Sequence, residues 1–206
     1  MCSRSDNCVS KEEIRLRMKA FRNTLCTPED TIAGEQILRR ILSLPEFSAS
    51  APEGAVVGLY SPIRMEADLL SSAAILRNKG FQIALPRICG DTLAFSTVKD
   101  EKNLRPGVFG IREPLPGADT VRIADLYAVC LPGLAYDLTG ARLGYGKGYY
   151  DHYLYTASCT RRPVLIGTGY DFQLLDFVPQ GPLDQRLDYI VTPSRTVKSG
   201  DNDRTS

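Results

Sequence analysis

From Arg142 to Asp151 the chain reads Arg-Leu-Gly-Tyr-Gly-Lys-Gly-Tyr-Tyr-Asp, and these residue types at this spacing could do chemistry. Gly144, Gly146 and Gly148 alternate around Lys147, Arg142 precedes them, and Tyr149, Tyr150 and Asp151 follow. Glycines let backbone N–H groups approach anionic oxygens closely, lysine and arginine neutralise those oxygens, and a carboxylate can hold a counter-cation. The combination suits a polyphosphate carried with its metal. A Walker A loop would need a glycine where Ala141 stands and a Ser or Thr where Gly148 stands. The dinucleotide fingerprint GxGxxG fails too, because Tyr149 occupies the place of its third glycine. On the residues alone the stretch is either a phosphate cradle or a tight turn.

The elements that must position this stretch are legible as periodicities. Ser10 with Glu13 has the form of a capping box, and the spacing of Ile14, Met18, Phe21 and Leu25 predicts a helix to about Leu25 with one buried stripe. Lys11 and Arg15 share another face of it. Thr27-Pro28-Glu29-Asp30 predicts the start of a second helix, buried through Ile37, Leu38, Ile41 and Leu42, with a loop from about Pro45 to Gly54. The apolar run Ala55–Tyr60, stopped by Ser61-Pro62, predicts a strand buried on both faces. A helix over Asp68–Lys79, ended by Gly80, and a strand over Phe81–Pro86 complete a parallel βαβ unit.

Further strands are predicted at Thr92–Val98, Leu126–Leu131, Pro163–Gly167 and Tyr189–Thr192, with a helix from about Gly148 to Ala157. Leu104–Asp119 reads as a long surface segment, and residues 1–9 and 194–206 read as polar tails. Alternating strands and helices imply a three-layer α/β fold, with a mostly parallel sheet and helices on both faces, Rossmann-like in outline. Ligands in such sheets bind beyond the carboxyl ends of strands. Ser61–Glu66, Pro132–Asp151 and Gly169-Tyr170-Asp171 all follow strands and are expected to share a cleft.

Composition narrows the function classes. With 206 residues the chain is expected to form a single domain, its core about residues 10–193. A net charge of +1 provides no global field for nucleic acid or an anionic membrane, so anion binding must come from local clusters. Six cysteines without a CxxC pair, and one histidine, argue against a zinc site. The absence of a signal-peptide core and of a spanning apolar run predicts a cytoplasmic protein with reduced thiols. His152 follows Asp151 on a predicted helix and points about 100° away from it, so it is read as no general base. Cys130, in a buried strand, is read as packing.

Taken together, Leu131-Pro132-Gly133-Leu134-Ala135-Tyr136-Asp137 and Gly140–Asp151 resemble the signature of the 5-formyltetrahydrofolate cyclo-ligase (methenyltetrahydrofolate synthetase) family. Tyr60-Ser61-Pro62-Ile63-Arg64-Met65-Glu66 looks like that family's substrate-side segment, and Leu85-Pro86-Arg87 and Gly110-Ile111-Arg112-Glu113-Pro114 fit its middle. Lys11 and Arg15 match its basic N-terminal helix, while Val178-Pro179, Leu183-Asp184 and Asp188–Thr192 are similar to its closing segment. The likeness spans roughly Ser10 to Thr192. Two positions depart from the pattern: Leu69 stands where the family often has threonine, and Leu183 where it often has histidine.

The resemblance implies conversion of 5-formyltetrahydrofolate and ATP, with Mg²⁺, to 5,10-methenyltetrahydrofolate, ADP and phosphate through a phosphorylated formyl group. It implies that Lys11, Arg15, Arg142 and Lys147 meet the triphosphate, with Lys147 and Arg142 at the chemistry and backbone donors from Gly144, Gly146 and Gly148. Tyr149 and Tyr150 would stack on or fence the adenine or pterin, Glu66 would contact the folate, and Asp151 and Asp184 would hold the metal. On the residues alone, Lys11 and Arg15 are solvated cations, Asp151 a helix-start carboxylate, Asp184 a turn residue and Glu66 a solvated loop residue. The folate could carry a polyglutamate tail, and the expected state is a monomer, with a dimer as the alternative. Two other classes stay open: a different ATP-dependent enzyme, or a non-catalytic nucleotide or folate binder on the same scaffold.

Overall fold

Apolar runs with no polar alternation form the middle of the main sheet. The computed structural model describes residues 9–25, 31–49, 51–107, 110–156 and 161–200. In chain order come α1 (Lys11–Leu25), α2 (Thr31–Leu42), α3 (Pro45–Ser48), β1 (Val56–Gly58), α4 (Ala74–Arg77), β2 (Gln82–Cys89), β3 (Thr92–Thr97), β4 (Leu104–Pro106), β5 (Arg112–Pro114) and β6 (Thr120–Val121). There follow β7 (Leu126–Pro132), β8 (Ala135–Asp137), β9 (Arg142–Leu143), α5 (Tyr149–Thr156), β10 (Val164–Thr168), β11 (Leu174–Leu175), β12 (Tyr189–Val191) and β13 (Thr196–Lys198).

The main sheet runs β13-β12-β10-β7-β1-β2-β3-β6. Its centre, from β12 to β2, is parallel, and the two edges are antiparallel. The chain leaves β1 for β2 on one side, then returns to β7 beside β1 and continues to β10 and β12 on the other. The strand order therefore reverses between β1 and β7, and loops leaving their carboxyl ends must splay apart there. That is the crevice in which doubly wound sheets bind ligands.

Period-two side-chain alternation divides the core. Val57, Leu59, Ile83, Leu85, Ala128, Cys130 and Ile166 face α2, α3 and α4, while Ala84, Val129, Leu131, Leu165 and Ile190 pack with α5 residues Tyr149, Tyr150 and Tyr153. The expected three-layer arrangement is thus present. Apart from both, α1 lays Ile14 and Met18 against Leu134, Ala135, Ala141, Leu143 and Val178. This places α1 over a second, small sheet of order β11-β8-β9.

Several local expectations hold. Ser10 and Glu13 close the capping box, with Ser10 N to Glu13 Oε2 at 2.8 Å and Glu13 N to Ser10 Oγ at 3.2 Å. Gly80 ends α4 at φ +85°. Cys130 is fully buried, and burial pushes its thiol up to about 12, as suits a packing residue. Cys89 and Cys130 are free thiols; the other four cysteines lie outside the described residues.

Others are corrected. Phe21 is 42% exposed and beneath Arg17, so the buried stripe of α1 does not continue through it; Arg22, 2% exposed, occupies the next turn of the buried face. Only Ala74–Arg77 is α-helical within 68–79, because the Asp68 carboxylate accepts from Ser71 N at 3.0 Å and turns replace the first helical bonds. The loop after Pro45 contains α3, where Phe47 is buried against Phe81 and Tyr127. The segment 104–119 carries the hairpin β4–β5, and the C-terminal segment adds β13 to the sheet edge. The Thr27–Asp30 start of the second helix lies outside the described residues.

Candidate active site

Helix α1 supplies cations along one line. Lys11, Arg15, Met18 and Arg22 follow the four-three-four spacing of a single helical face, so the three charges are spread over about 16 Å of axis. The Lys11 ammonium binds the Asp184 carboxylate, which also accepts from Gly181 N at 2.6 Å. Burial raises the proton affinity of Asp184, but the Lys11 hydrogen bond, the Gly181 N–H and the charges of Lys11 and Arg142 outweigh it and hold the carboxyl below its usual range. Arg15 donates through Nε to Gly144 O at 3.1 Å.

The glycine-rich loop lies against that helix face. Gly146 has φ +99° and Gly148 φ +70°, a region that side chains disfavour, and a Cβ on Gly146 would lie 3.5 Å from Arg15 Cζ. Lys147 is exposed at the loop's tip, and among the described residues it makes no hydrogen bond or ion pair. Arg142, 7% exposed, anchors the loop from below: it donates to Pro132 O at 3.1 Å and Asp151 Oδ1 at 2.6 Å, and its guanidinium lies 5.6 Å from the Tyr150 ring centre. Burial, then the charge of Glu66, pushes the Tyr150 phenol above its ordinary range.

Glu66 sits across the switch point. The turn Ile63-Arg64-Met65-Glu66 closes with Glu66 N to Ile63 O at 3.0 Å, and the Glu66 carboxylate returns to Ile63 N at 3.0 Å. Arg64 (φ 47°) and Met65 (φ 62°) both adopt left-handed backbone, a geometry that two-residue turns usually give to glycine or asparagine. This costs on the order of 1 kcal/mol per residue. Glu66 is 7% exposed, and burial pushes its carboxyl up to about 7, although Ile63 N–H, Arg22, Arg64 and the Tyr145 hydroxyl all favour the anion.

Arg22 joins this turn to the loops. Its Nη1 donates to Tyr145 Oη at 2.5 Å and lies 3.8 Å from Glu66 Oε1, while Nη2 donates to Gly133 O at 2.6 Å. The Tyr145 ring has the cationic ends of Lys19, Arg22 and Arg64 at 5.9, 5.8 and 5.4 Å from its centre. Gln173 braces the same junction, donating to Gly133 O at 2.7 Å. An arrangement with exposed cations and bare backbone at one end, and a buried carboxylate among arginines at the other, can hold two different ligands side by side.

Comparison with known proteins supplies the family. The model of the 5-formyltetrahydrofolate cyclo-ligase family matches residues 7–193. This chain belongs to the 5-formyltetrahydrofolate cyclo-ligase family. A 5-formyltetrahydrofolate cyclo-ligase of Mycolicibacterium smegmatis is 32% identical over 196 residues, covering 91% of this chain and 96% of its own. The solved structure of Aquifex aeolicus 5,10-methenyltetrahydrofolate synthetase superposes with a TM-score of 0.77 at 31% identity, covering 93% of each chain. That of a Mycoplasma pneumoniae 5,10-methenyltetrahydrofolate synthetase gives 0.68 at 25% identity, over 89% of this chain and 99% of the other. The cyclo-ligase fold and an enzymatic role follow for this chain.

Asp151 and Asp184, the two carboxylates expected to hold a metal, are partly buried. Each is already bonded to a cation, and Arg142 links them, binding Asp151 and lowering the proton affinity of Asp184. Among the described residues no group of three or more His, Cys, Asp or Glu side chains converges. Such a pair fits a hard cation that keeps most of its ligands on phosphate oxygens, and does not by itself form an all-protein cage.

The fold brings Lys11, Arg15, Arg142, the three glycines, Tyr150, Asp151 and Asp184 around one loop, with Lys147 at its tip and Glu66 across the crevice. Tyr149 is half-buried on the α5 side of the core. His152 faces Asp91 O at 3.3 Å, away from the loop. Asp171 turns to Thr192 Oγ1 at 2.5 Å, so the third predicted loop supports the cleft through Gln173 rather than lining it with its carboxylate. Leu69 is fully buried core, and Leu183 is 56% exposed beside Asp184. Sequence reading missed Arg22, because position 22 adjoins the spacing that was assigned to Phe21. The available signal was its place four residues beyond Met18 and seven beyond Arg15.

Proposed function

We propose that this enzyme converts 5-formyltetrahydrofolate to 5,10-methenyltetrahydrofolate with consumption of ATP, the triphosphate lying on the glycine-rich loop and the pterin beside Glu66. The observation that carries this reading is the pairing of the two cleft ends across the β1–β7 switch point: a cation-lined glycine loop and a buried, hydrogen-bonding carboxylate. Their chemistry matches the two substrates. A formamide oxygen is a poor leaving group, so the formyl oxygen attacks the γ-phosphorus and ADP departs. N10 of the folate then attacks the activated carbon and gives its proton to solvent, the ring closes, and the carbon–oxygen bond breaks so that phosphate leaves with the former formyl oxygen.

The protein's contribution to such a transfer is positioning and neutralisation of charge. Lys147, Arg142, Lys11 and Arg15 neutralise phosphate oxygens, and backbone N–H groups around Gly144, Gly146 and Gly148 approach them closely. Tyr149 and Tyr150 fence the reacting groups from water. Glu66 accepts hydrogen bonds from the amino and ring N–H groups of the pterin. Asp151 and Asp184 would hold Mg²⁺ that arrives on the nucleotide, which would neutralise charge developing on the β- and γ-phosphates. The reading takes residues 10–193 as one domain acting in the cytoplasm, although among the relatives one from Arabidopsis thaliana is described as mitochondrial. Among the described residues no helix is long and apolar enough to cross a membrane.

Purified protein incubated with 5-formyltetrahydrofolate and Mg-ATP should develop methenyl absorbance and release one ADP per product. Nucleotide binding without product would instead favour a different ATP-dependent enzyme or a non-catalytic binder. With substrate labelled by ¹⁸O in the formyl group, the label should appear in phosphate. Label released as water would refute the phosphorylated intermediate.

A further inference from the structure

The reaction as drawn leaves one buried charge without a role. Arg22 projects from α1 into the junction of three loops that leave different strands, and its side chain is only 3% exposed. It reaches Gly133 O after β7, Tyr145 Oη in the glycine-rich loop and the Glu66 carboxylate after β1. Its Nε is also buried and has no hydrogen-bond partner among the described residues. A buried cation held this far from water is costly unless its partners need it. Met18, one turn earlier on the same face, shows that an apolar residue packs there readily.

We infer that Arg22 is a positioning residue for folate recognition, clamping Glu66 and Tyr145 together across the switch point so that the pterin-binding carboxylate is held aimed into the cleft. This rests on the reading of Glu66 as the folate contact. The turn that carries Glu66 contains two residues in left-handed backbone, so something outside the turn must hold it. Arg22 does so from α1, the helix that also places Lys11 and Arg15 at the phosphate end. One rigid helix thereby fixes the distance between the two ends of the cleft.

The groups facing Glu66 are Arg22 from α1, Arg64 from its own turn, Tyr145 from the glycine loop, and the phenols of Tyr60, Tyr136 and Tyr150. Of the cations, Arg22 is the buried one, with a side chain 3% exposed, and an opposite charge at this range favours the ionised carboxyl. Removing it should leave Glu66 protonated at neutral pH.

The test is a double-mutant cycle on the full chain with Arg22→Met, Glu66→Gln and both together. For Arg22→Met the KM for 5-formyltetrahydrofolate should rise about tenfold with little change in the KM for ATP, and the acid limb of kcat/KM should move up by about one pH unit. The double variant should be no worse than Glu66→Gln alone. An unmoved limb, or strictly additive losses, would overturn the inference. Carboxyl ¹³C titration of Glu66 in the ligand-free protein reads the same coupling without turnover. A failure of cyclo-ligase activity is thereby distinguishable from a failure of the Arg22 role. If Arg22→Met does not fold, Arg22→Lys is the second variant. It keeps the charge but not the fork, so the Glu66 titration should stay near wild type while the folate KM still rises; an unchanged folate KM would refute the clamp.

Discussion

The two ends of the cleft are built in opposite ways. At the glycine-loop end Lys11 and Arg15 are half-buried, Arg142 is buried beneath the loop, and Lys147 waits exposed at the tip without a protein partner among the described residues. At the Glu66 end the groups are buried: Arg22 and Glu66 have side chains 3% and 4% exposed, and two strained residues present the carboxylate. The first end pairs Lys11, Arg15 and Arg142 within the fold and leaves Lys147 at its tip unpartnered among the described residues, whereas the second pairs Arg22 with Glu66 out of reach of water. Substitutions at Lys147 and at Arg22 should therefore separate, with loss of activity and no loss of stability at the first, and both together at the second.

The largest effect expected is on turnover. Lys147→Ala should lower kcat/KM for ATP about a hundredfold or more, while urea unfolding stays within about 0.5 kcal/mol of wild type because the side chain is exposed. Turnover close to wild type would remove the phosphate role of the loop. Arg22→Met should show the converse balance, losing on the order of 3 kcal/mol of stability, since breaking a buried ion pair strands its partner. Equal unfolding midpoints for wild type and Arg22→Met would erase the distinction between the ends.

A pH dependence sharpens it further. Glu66 ionises near 7 in the fold and near the ordinary 4.5 when unfolded, so the folded state holds a proton that the unfolded chain has released. The stabilisation from this group is complete below 4.5 and is lost as pH rises through about 7. Glu66→Gln cannot ionise. Its stability relative to wild type should improve by on the order of 3 kcal/mol between about pH 4.5 and pH 8. Parallel pH–stability curves would show that Glu66 titrates normally. Among the smaller effects, Asp151→Asn and Asp184→Asn should each raise the Mg²⁺ concentration needed for half-maximal turnover severalfold. An unchanged requirement would dismiss them as ligands. Smallest is Met65→Gly, which relieves one left-handed residue and should stabilise by about 1 kcal/mol or less.

The same contrast explains what the sequence could show. The glycine-loop end was legible because its signals are local: alternating glycines, a lysine between them, and apolar runs such as Ala55–Tyr60 and Leu126–Leu131 that place the cleft beyond buried strands. The parallel centre of the sheet followed from those runs as well. The Glu66 end depends on residues brought together from positions 22, 66, 133 and 145, and no local period encodes a meeting of that kind. Phe21 and Arg22 illustrate the difficulty, since adjacent helix positions differ by about 100° and a small rotation of α1 decides which is buried. Similarly, β13 and α3 are short elements fixed by pairing and packing with distant parts of the chain rather than by their own propensities.

Steady-state kinetics of Lys147→Ala and Glu66→Gln, each measured against both substrates, test the division of the cleft most directly. The account predicts a crossed pattern, in which Lys147→Ala raises the KM for ATP and leaves that for 5-formyltetrahydrofolate near wild type, while Glu66→Gln does the reverse. Both variants raising the same KM, or neither raising either, would contradict it.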